Sequence, residues 1–139
     1  MPVSRFVAIL LLLSALPGAA EETDQPPNRG GEVRYVALQP AFVTNFGLAD
    51  RGKLLYLKTD VSIRVSSQAA EMAARYHLPA LRNALVMLLS RQDEATVSTG
   101  RGRELIRTEA LAQVRAILEA EEGEPCVDDL MFTNFIVQR

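Results

Sequence analysis

The sharpest pattern in the chain lies at residues 55–66. Leu55, Leu57, Thr59, Val61, Ile63 and Val65 alternate with Tyr56, Lys58, Asp60, Ser62, Arg64 and Ser66. A period of two is the period of a β-strand, and an apolar, β-branched side against a charged side predicts a half-buried strand. One wet face suits an antiparallel sheet; a strand buried on both faces would not carry Lys, Asp and Arg on one of them. Two shorter stretches, EVRYVAL at 32–38 and AFVTNF at 41–46, read as further strands, the first ending at Pro40 and the second stopped by Gly47. Between the second and the long strand, GLADRGK at 47–53 carries turn chemistry at Asp50 and Gly52, which would join the two as a hairpin.

The middle of the chain changes period. Ser66 or Ser67 can cap a helix beginning at Gln68, and the Ala-rich run to Tyr76 is a good helix former. Pro79 lacks a donor and clashes with the turn before it, so a kink or restart is expected at His77-Leu78-Pro79, with Pro79 in a first turn. ALRNALVMLLS at 80–90 follows, and its segment 84–89 is apolar all round. A helix of that kind is either deeply buried or covered by another subunit, so Leu85, Leu88 and Leu89 stand as a candidate self-association surface. A third helix runs from Gly100 or Arg101 to Glu122, capped by Ser98 or Thr99, with Ile106, Ala110, Val114, Ile117 and Leu118 in one stripe, and Gly123 and Pro125 end it. The closing CVDDLMFTNFIVQ is too apolar and β-rich for a tail and reads as a final strand.

Thr-Asn-Phe occurs twice, at Thr44–Phe46 and Thr133–Phe135. In an unbroken strand Thr and Phe share a face and Asn takes the other. Phe46 and Phe135 would then add bulk to the core, Asn45 and Asn134 would face water, and the N- and C-terminal strands would be near neighbours in one sheet with helices on the Phe face. Coincidence is the competing reading, and nothing else in the chain repeats.

The start of the chain has another character. One charge, Arg5, precedes an apolar run at 6–13, then Pro17 and the small residues Gly18, Ala19 and Ala20 come before Glu21. This is the layout of a secretory signal with cleavage after Ala20. The alternative is a retained, short membrane anchor, although a spanning helix needs about twenty apolar residues. EETDQPPNRGG at 21–31 is polar with Pro-Pro and Gly-Gly and reads as a disordered linker. The organisation expected is therefore residues 1–20 as signal or anchor, 21–31 as linker and 32–139 as one folded domain, which suits a total of 139 residues.

Composition removes several kinds of function. A net charge of −2 and no tryptophan speak against phosphate neutralisation and base stacking, so no nucleic-acid partner is expected. One cysteine, Cys126, cannot form an internal disulfide, and one histidine with one cysteine cannot supply the three or four ligands of a His/Cys metal site. The acids Glu119, Glu121, Glu122, Glu124, Asp128 and Asp129 lack the alternation of a calcium loop and read as a solvated face around a turn. GRGRE, from Gly100 to Glu104, is a weak glycine-rich look-alike that has neither the preceding strand nor the Lys-Ser/Thr of a phosphate cradle, and no nucleophile elbow is present. The expectation is a non-enzymatic protein with no cofactor and no catalytic or metal-binding residues.

Taken in order, these pieces resemble the FliL family of flagellar basal-body-associated proteins. The likeness runs from about Tyr35 to Gln138 and rests on YVALQPAFVTNF (Tyr35, Pro40, Asn45), the alternating strand, and LPALRNALVMLLS (Pro79, Arg82, Asn83, Leu88, Leu89, Ser90). It continues with GRELIRTEAL (Gly102, Leu105, Arg107, Glu109) and VDDLMFTNFIVQ (Val127, Leu130, Phe132, Phe135, Ile136, Gln138). The resemblance implies an α+β domain, an antiparallel sheet with helices on one face, like that of stomatin-type (SPFH-like) proteins. It implies a periplasmic place close to the inner membrane, a ring-forming homo-oligomer, and flagellar stator and basal-body proteins as partners. It brings no catalytic residues. Family members usually carry a true spanning helix, and the short apolar segment here departs from that. The alternative function is a monomeric, soluble periplasmic module for a small ligand, and a hydrolase ranks last.

Overall fold

The computed structural model describes residues 31–46 and 55–138. The leader at 1–20, nearly all of the linker at 21–31 and the 47–53 turn fall outside them. Four strands and four helices follow in order: β1 (Arg34–Ala37), β2 (Phe42–Phe46), β3 (Leu55–Val65), α1 (Gln68–Tyr76), α2 (Leu78–Ser90), α3 (Glu94–Val97), α4 (Gly100–Glu122) and β4 (Asp129–Gln138). The expected α+β class holds, with an antiparallel sheet and helices packed against it.

β3 is the spine. β4 pairs with it antiparallel from Tyr56↔Gln138 to Arg64↔Asp129 and so takes one of its two hydrogen-bonding edges. β1 (Arg34↔Val65 to Ala37↔Ser62) and β2 (Phe42↔Thr59 to Phe46↔Leu55) therefore share the other edge end to end. They are one edge strand interrupted at residues 39–41. The ladder continues as far as Leu38, whose amide donates to the Val61 carbonyl, and it resumes at Phe42. Pro40 brings no amide to a ladder, which is why the interruption falls on an edge. The N- and C-terminal strands are thus in one sheet, but β3 lies between them.

The alternation in β3 sorts as its pattern requires. Leu57, Thr59, Val61, Ile63 and Val65 are buried, and Tyr56 and Lys58 are exposed. Among the described residues Thr59 is the one buried polar residue of the core, and its hydroxyl is satisfied by the carbonyls of Asp60 and Thr133. In β4 the second Thr-Asn-Phe departs from the first. The register shifts between Lys58 and Asp60, and Asn134 takes a left-handed φ of 53°. Such a bulge inserts one residue and resets which side chains share a face. Thr133 now pairs with Asp60 on the outer face, Phe135 turns inward to meet Phe132 at 5.5 Å, and the Asn134 amide donates to Asp60. Phe46 is core and Asn45 is exposed, as expected, whereas Thr133 and Phe135 lie on opposite faces.

The helices begin and end where local chemistry directs. Ser67 caps α1 by accepting from the Ala70 amide. α1 stops at Tyr76 and α2 restarts at Leu78 with Pro79 in its first turn. Thr99 caps α4 by accepting from the Gly102 amide, and Gly123, at φ 83°, terminates it in the left-handed conformation that costs glycine least. The short α3 is capped by Asp93 and had no periodicity to announce it, because four residues span barely one turn. Ile106, Ala110, Val114 and Leu118 of α4 and Leu81, Leu85, Leu88 and Leu89 of α2 close over the inner face of the sheet.

Candidate functional site

Leu85, Leu88 and Leu89 are fully buried within a single chain, in the same core as Phe42, Ile63 and Ile106. They are core and not an association surface. An apolar run around a whole helix has two explanations, and here burial between sheet and α4 accounts for the inward positions. What the run leaves outside is Val86 and Met87, both exposed.

Arginines tie the helices to the strand ends. Arg82 of α2 reaches the break in the edge strand, donating to the carbonyls of Leu38 and Pro40 while its guanidinium lies 4.2 Å over the Phe42 ring. Arg107 of α4 donates to Glu104 at 2.5 Å, to Asp129 at 2.6 Å and to the Leu130 carbonyl at 3.2 Å. The Glu104 hydrogen bond raises the Arg107 pKa most and holds the Glu104 carboxyl below its ordinary value. Arg115 donates to the carbonyls of Val127 and Asp128 at 2.8 and 2.7 Å. Arg34 of β1 joins Glu71 of α1 at 3.0 Å, and Arg75 joins the same carboxylate at 2.9 Å. Those two hydrogen bonds, Arg75's the larger, hold Glu71 below the usual carboxylate range.

The residues singled out for chemistry are scattered. His77 sits in the α1–α2 joint, where its amide closes α1 onto the Ala73 carbonyl and its imidazole Nε2 lies 2.6 Å from Glu122. Cys126 is half-buried with φ 58°; burial, then the charges of Glu124 and Glu122, push its thiol pKa up, which keeps it the un-ionised, poorly nucleophilic form. Among the described residues, no group of three or more His, Cys, Asp or Glu could hold a metal ion, and no helix is long and apolar enough to cross a membrane.

Two surfaces stand out. The first is the sheet face turned away from the helices. Val33, Tyr35, Val43, Tyr56 and Ile136 lie on it, and they are half of the ten exposed large apolar residues among the described residues; Tyr35 and Val43 are 60% and 64% exposed. Val43, Lys58 and Ile136 form one row across the three strands, and Asn45, Tyr56 and Gln138 the next. Among the described residues Lys58 and Arg64, both on this face, have no carboxylate partner, and Asp60 is engaged by Asn134. The second is the corner where α4 ends. Glu119, Glu121, Glu122 and Glu124 are all exposed there, with Tyr76 (79% exposed) set edge-on to His77 at 4.9 Å. The acidic face around the turn was legible in the sequence. The apolar half of the sheet's outer face was not, because Tyr56 reads as polar in an alternating pattern and Val33, Tyr35 and Val43 belong to strands whose faces are set only by register.

The described residues thus form an α+β domain in which arginines tie the helices to the ends of the sheet strands. The chain belongs to the FliL family: residues 35–138 match the family described as "Flagellar basal body-associated protein FliL". It is 28% identical over 113 residues to the flagellar protein FliL of Aquifex aeolicus, covering 81% of this chain and 65% of that one. It is 31% identical over 97 residues to that of Escherichia coli K12, covering 70% and 60% respectively. The chain thus spans less than two thirds of the length of either relative.

Proposed function

We propose that this protein is a non-enzymatic, self-associating accessory of the flagellar basal body that supports the motor and its stator units in swimming or swarming. The observation that carries the reading is the family match over nearly the whole of the described domain. It is supported by a core that is apolar almost throughout and by polar side chains engaged in structural ties. In this reading the domain has the layout of stomatin-type proteins and assembles as a ring of copies. It works in the periplasm close to the inner membrane, delivered by residues 1–20 with cleavage after Ala20, or held there by the same segment as a short anchor. Family membership favours this over a monomeric module for a small ligand. The test is a deletion strain on soft agar and under viscous load. Reduced swarming or reduced torque, restored by the full chain in trans, is the expected result; motility equal to the parent at every load overturns the assignment. N-terminal sequencing of the exported protein decides between cleavage, which starts it at Glu21, and retention.

A further inference from the structure

We propose that His77 is a proton-operated clasp: a charged imidazole fastens the α1–α2 joint to the end of α4, and a neutral one frees α1 to open. The residue belongs to both helices. Its amide closes α1 on the Ala73 carbonyl, and its own carbonyl accepts from the Leu81 amide in the first turn of α2. Its side chain is only 13% exposed, and Nε2 lies 2.6 Å from a carboxylate oxygen of Glu122, the last residue of α4. A protonated imidazole always donates there. A neutral one donates only as the Nε2–H tautomer; the other tautomer turns a lone pair on the carboxylate.

The end of α4 is negative in its own right. Glu119, Glu121 and Glu122 crowd it, Glu124 follows, and the last turn has no basic residue to offset the negative end of the helix dipole. The cations of the elements around the joint are committed elsewhere. Arg75 of α1 and Arg34 of β1 hold Glu71, Arg82 of α2 serves the Leu38 and Pro40 carbonyls, and Arg115 of α4 serves those of Val127 and Asp128. A proton on His77 therefore supplies this corner with a positive charge, and rising pH removes it. α1 is the element such a clasp can release. It buries only Ala70, Ala73 and Ala74, whose small side chains take little apolar area from water. Its other ties are Arg34 to Glu71 in its first turn and His77 to Glu122 at its end. A helix held so lightly opens at low free energy. The pH window follows from the chemistry of imidazole, which changes charge between pH 5 and 8 while carboxylates stay ionised. His77 is the only histidine in the chain, and the Cys126 thiol is pushed up and away from that window.

The experiment is amide hydrogen exchange of the purified full chain from pH 5.5 to pH 8, read as protection factors so that the intrinsic dependence of exchange on pH is removed. Protection of α1 should be about three- to fivefold higher at pH 5.5 than at pH 8, the size of a charge placed at a helix end. Protection of β2, which lies away from the joint, should stay constant. His77→Gln keeps a donor for Glu122 but has no proton to gain, and its α1 should show one level of protection across the range. Glu122→Gln should flatten the dependence as well. Circular dichroism and a cooperative melt show that each variant is folded; if His77→Gln is not, Glu122→Gln carries the test. Native protection that is level across the range, protection that rises towards pH 8, or a dependence that survives in His77→Gln overturns the clasp. A dependence lost in His77→Gln and kept in Glu122→Gln gives the imidazole to the carbonyl end of α4 and overturns Glu122 as its partner.

Discussion

Where the edge strand breaks at residues 39–41, two backbone carbonyls would lack partners if Arg82 did not reach them from α2. Its planar head can serve both carbonyls and still lie over the Phe42 ring, a combination that a lysine cannot reproduce. Arg82→Ala should therefore cost about 1–3 kcal/mol, chiefly the penalty for stranding the carbonyl of buried Leu38, since that of exposed Pro40 can turn to water, and Arg82→Lys should recover only part of it. Urea denaturation followed by circular dichroism reads both; an Arg82→Ala midpoint equal to the parent's would show the ties to be ornamental. Gly102 makes a similar case by sterics. A Cβ there would lie 1.9 Å from the Thr96 carbonyl oxygen, so α3 and α4 meet only because the position has no side chain. Gly102→Ala should destabilise by about 1–3 kcal/mol in the same measurement, as overpacked sites do. Arg82, Gly102 and Arg107, three of the residues that carry the family resemblance, thus have plain structural roles.

At the scale of elements, the all-round apolar stretch of α2 sits between the sheet and α4, and Leu85 and Leu88 are enclosed on all sides. Leu85→Asp or Leu88→Asp would bury an unpaired charge, and Leu88→Ala would remove about 2–5 kcal/mol of packing. The expected outcome for either aspartate is loss of folded protein and not a folded monomer released from an assembly; a soluble, cooperatively melting Leu88→Asp chain would contradict the burial. Much of the element plan was legible beforehand. The alternation in β3, the serine and threonine caps, the restart at Pro79 and the stop at Gly123 are local effects, written in adjacent residues. What stayed hidden is set by distant residues. The bulge at Asn134 exists only relative to β3, the break in the edge strand shows only in pairing, and whether α2 faces a core or a partner is decided by α4, more than ten residues further on. Paired and capping carboxylates also set an acid limit. Glu71, Asp93 and Glu104 are held below ordinary carboxylate pKa values by Arg75 and Arg34, by the Thr96 amide and by Arg107 respectively. A carboxylate depressed in the fold contributes stability that is present above its unfolded pKa and lost as pH falls through the folded one. The melting temperature should hold from neutrality down to about pH 5 and then fall as pH drops through the carboxylate range. Glu71→Gln should lower the plateau and flatten that part of the fall; an unchanged profile would show that Glu71 does not contribute.

At the scale of the whole fold, β3 is, among the described residues, the only strand paired on both edges, and the two edges are defended differently. On one side the strand is broken at residues 39–41 and tied by Arg82; on the other it carries the Asn134 bulge and is tied by Arg107 and Arg115. Breaks, bulges and prolines on edge strands hinder ladder-to-ladder pairing with another chain, which leaves the outer face and not the edges as the sheet's surface for contact. The same layout predicts how the fold opens. A doubly paired strand over a continuous core exchanges its amides through global unfolding, whereas an edge strand held by a few side-chain ties can detach at lower free energy. Hydrogen exchange should therefore be slowest along β3 and faster in β1, β2 and β4. Replacing Arg107 and Arg115 together by alanine should accelerate β4, most of all around Asp129 and Leu130 where those side chains grip, and leave the β1–β2 edge close to its native rate relative to β3. Equal acceleration of every strand would mean that the two arginines stabilise the domain globally and that β4 does not open on its own. Acceleration confined to β4 would establish that the two edges are independently tied to a common spine, so that a partner seated on the outer face could be held by one side of the sheet while the other yields.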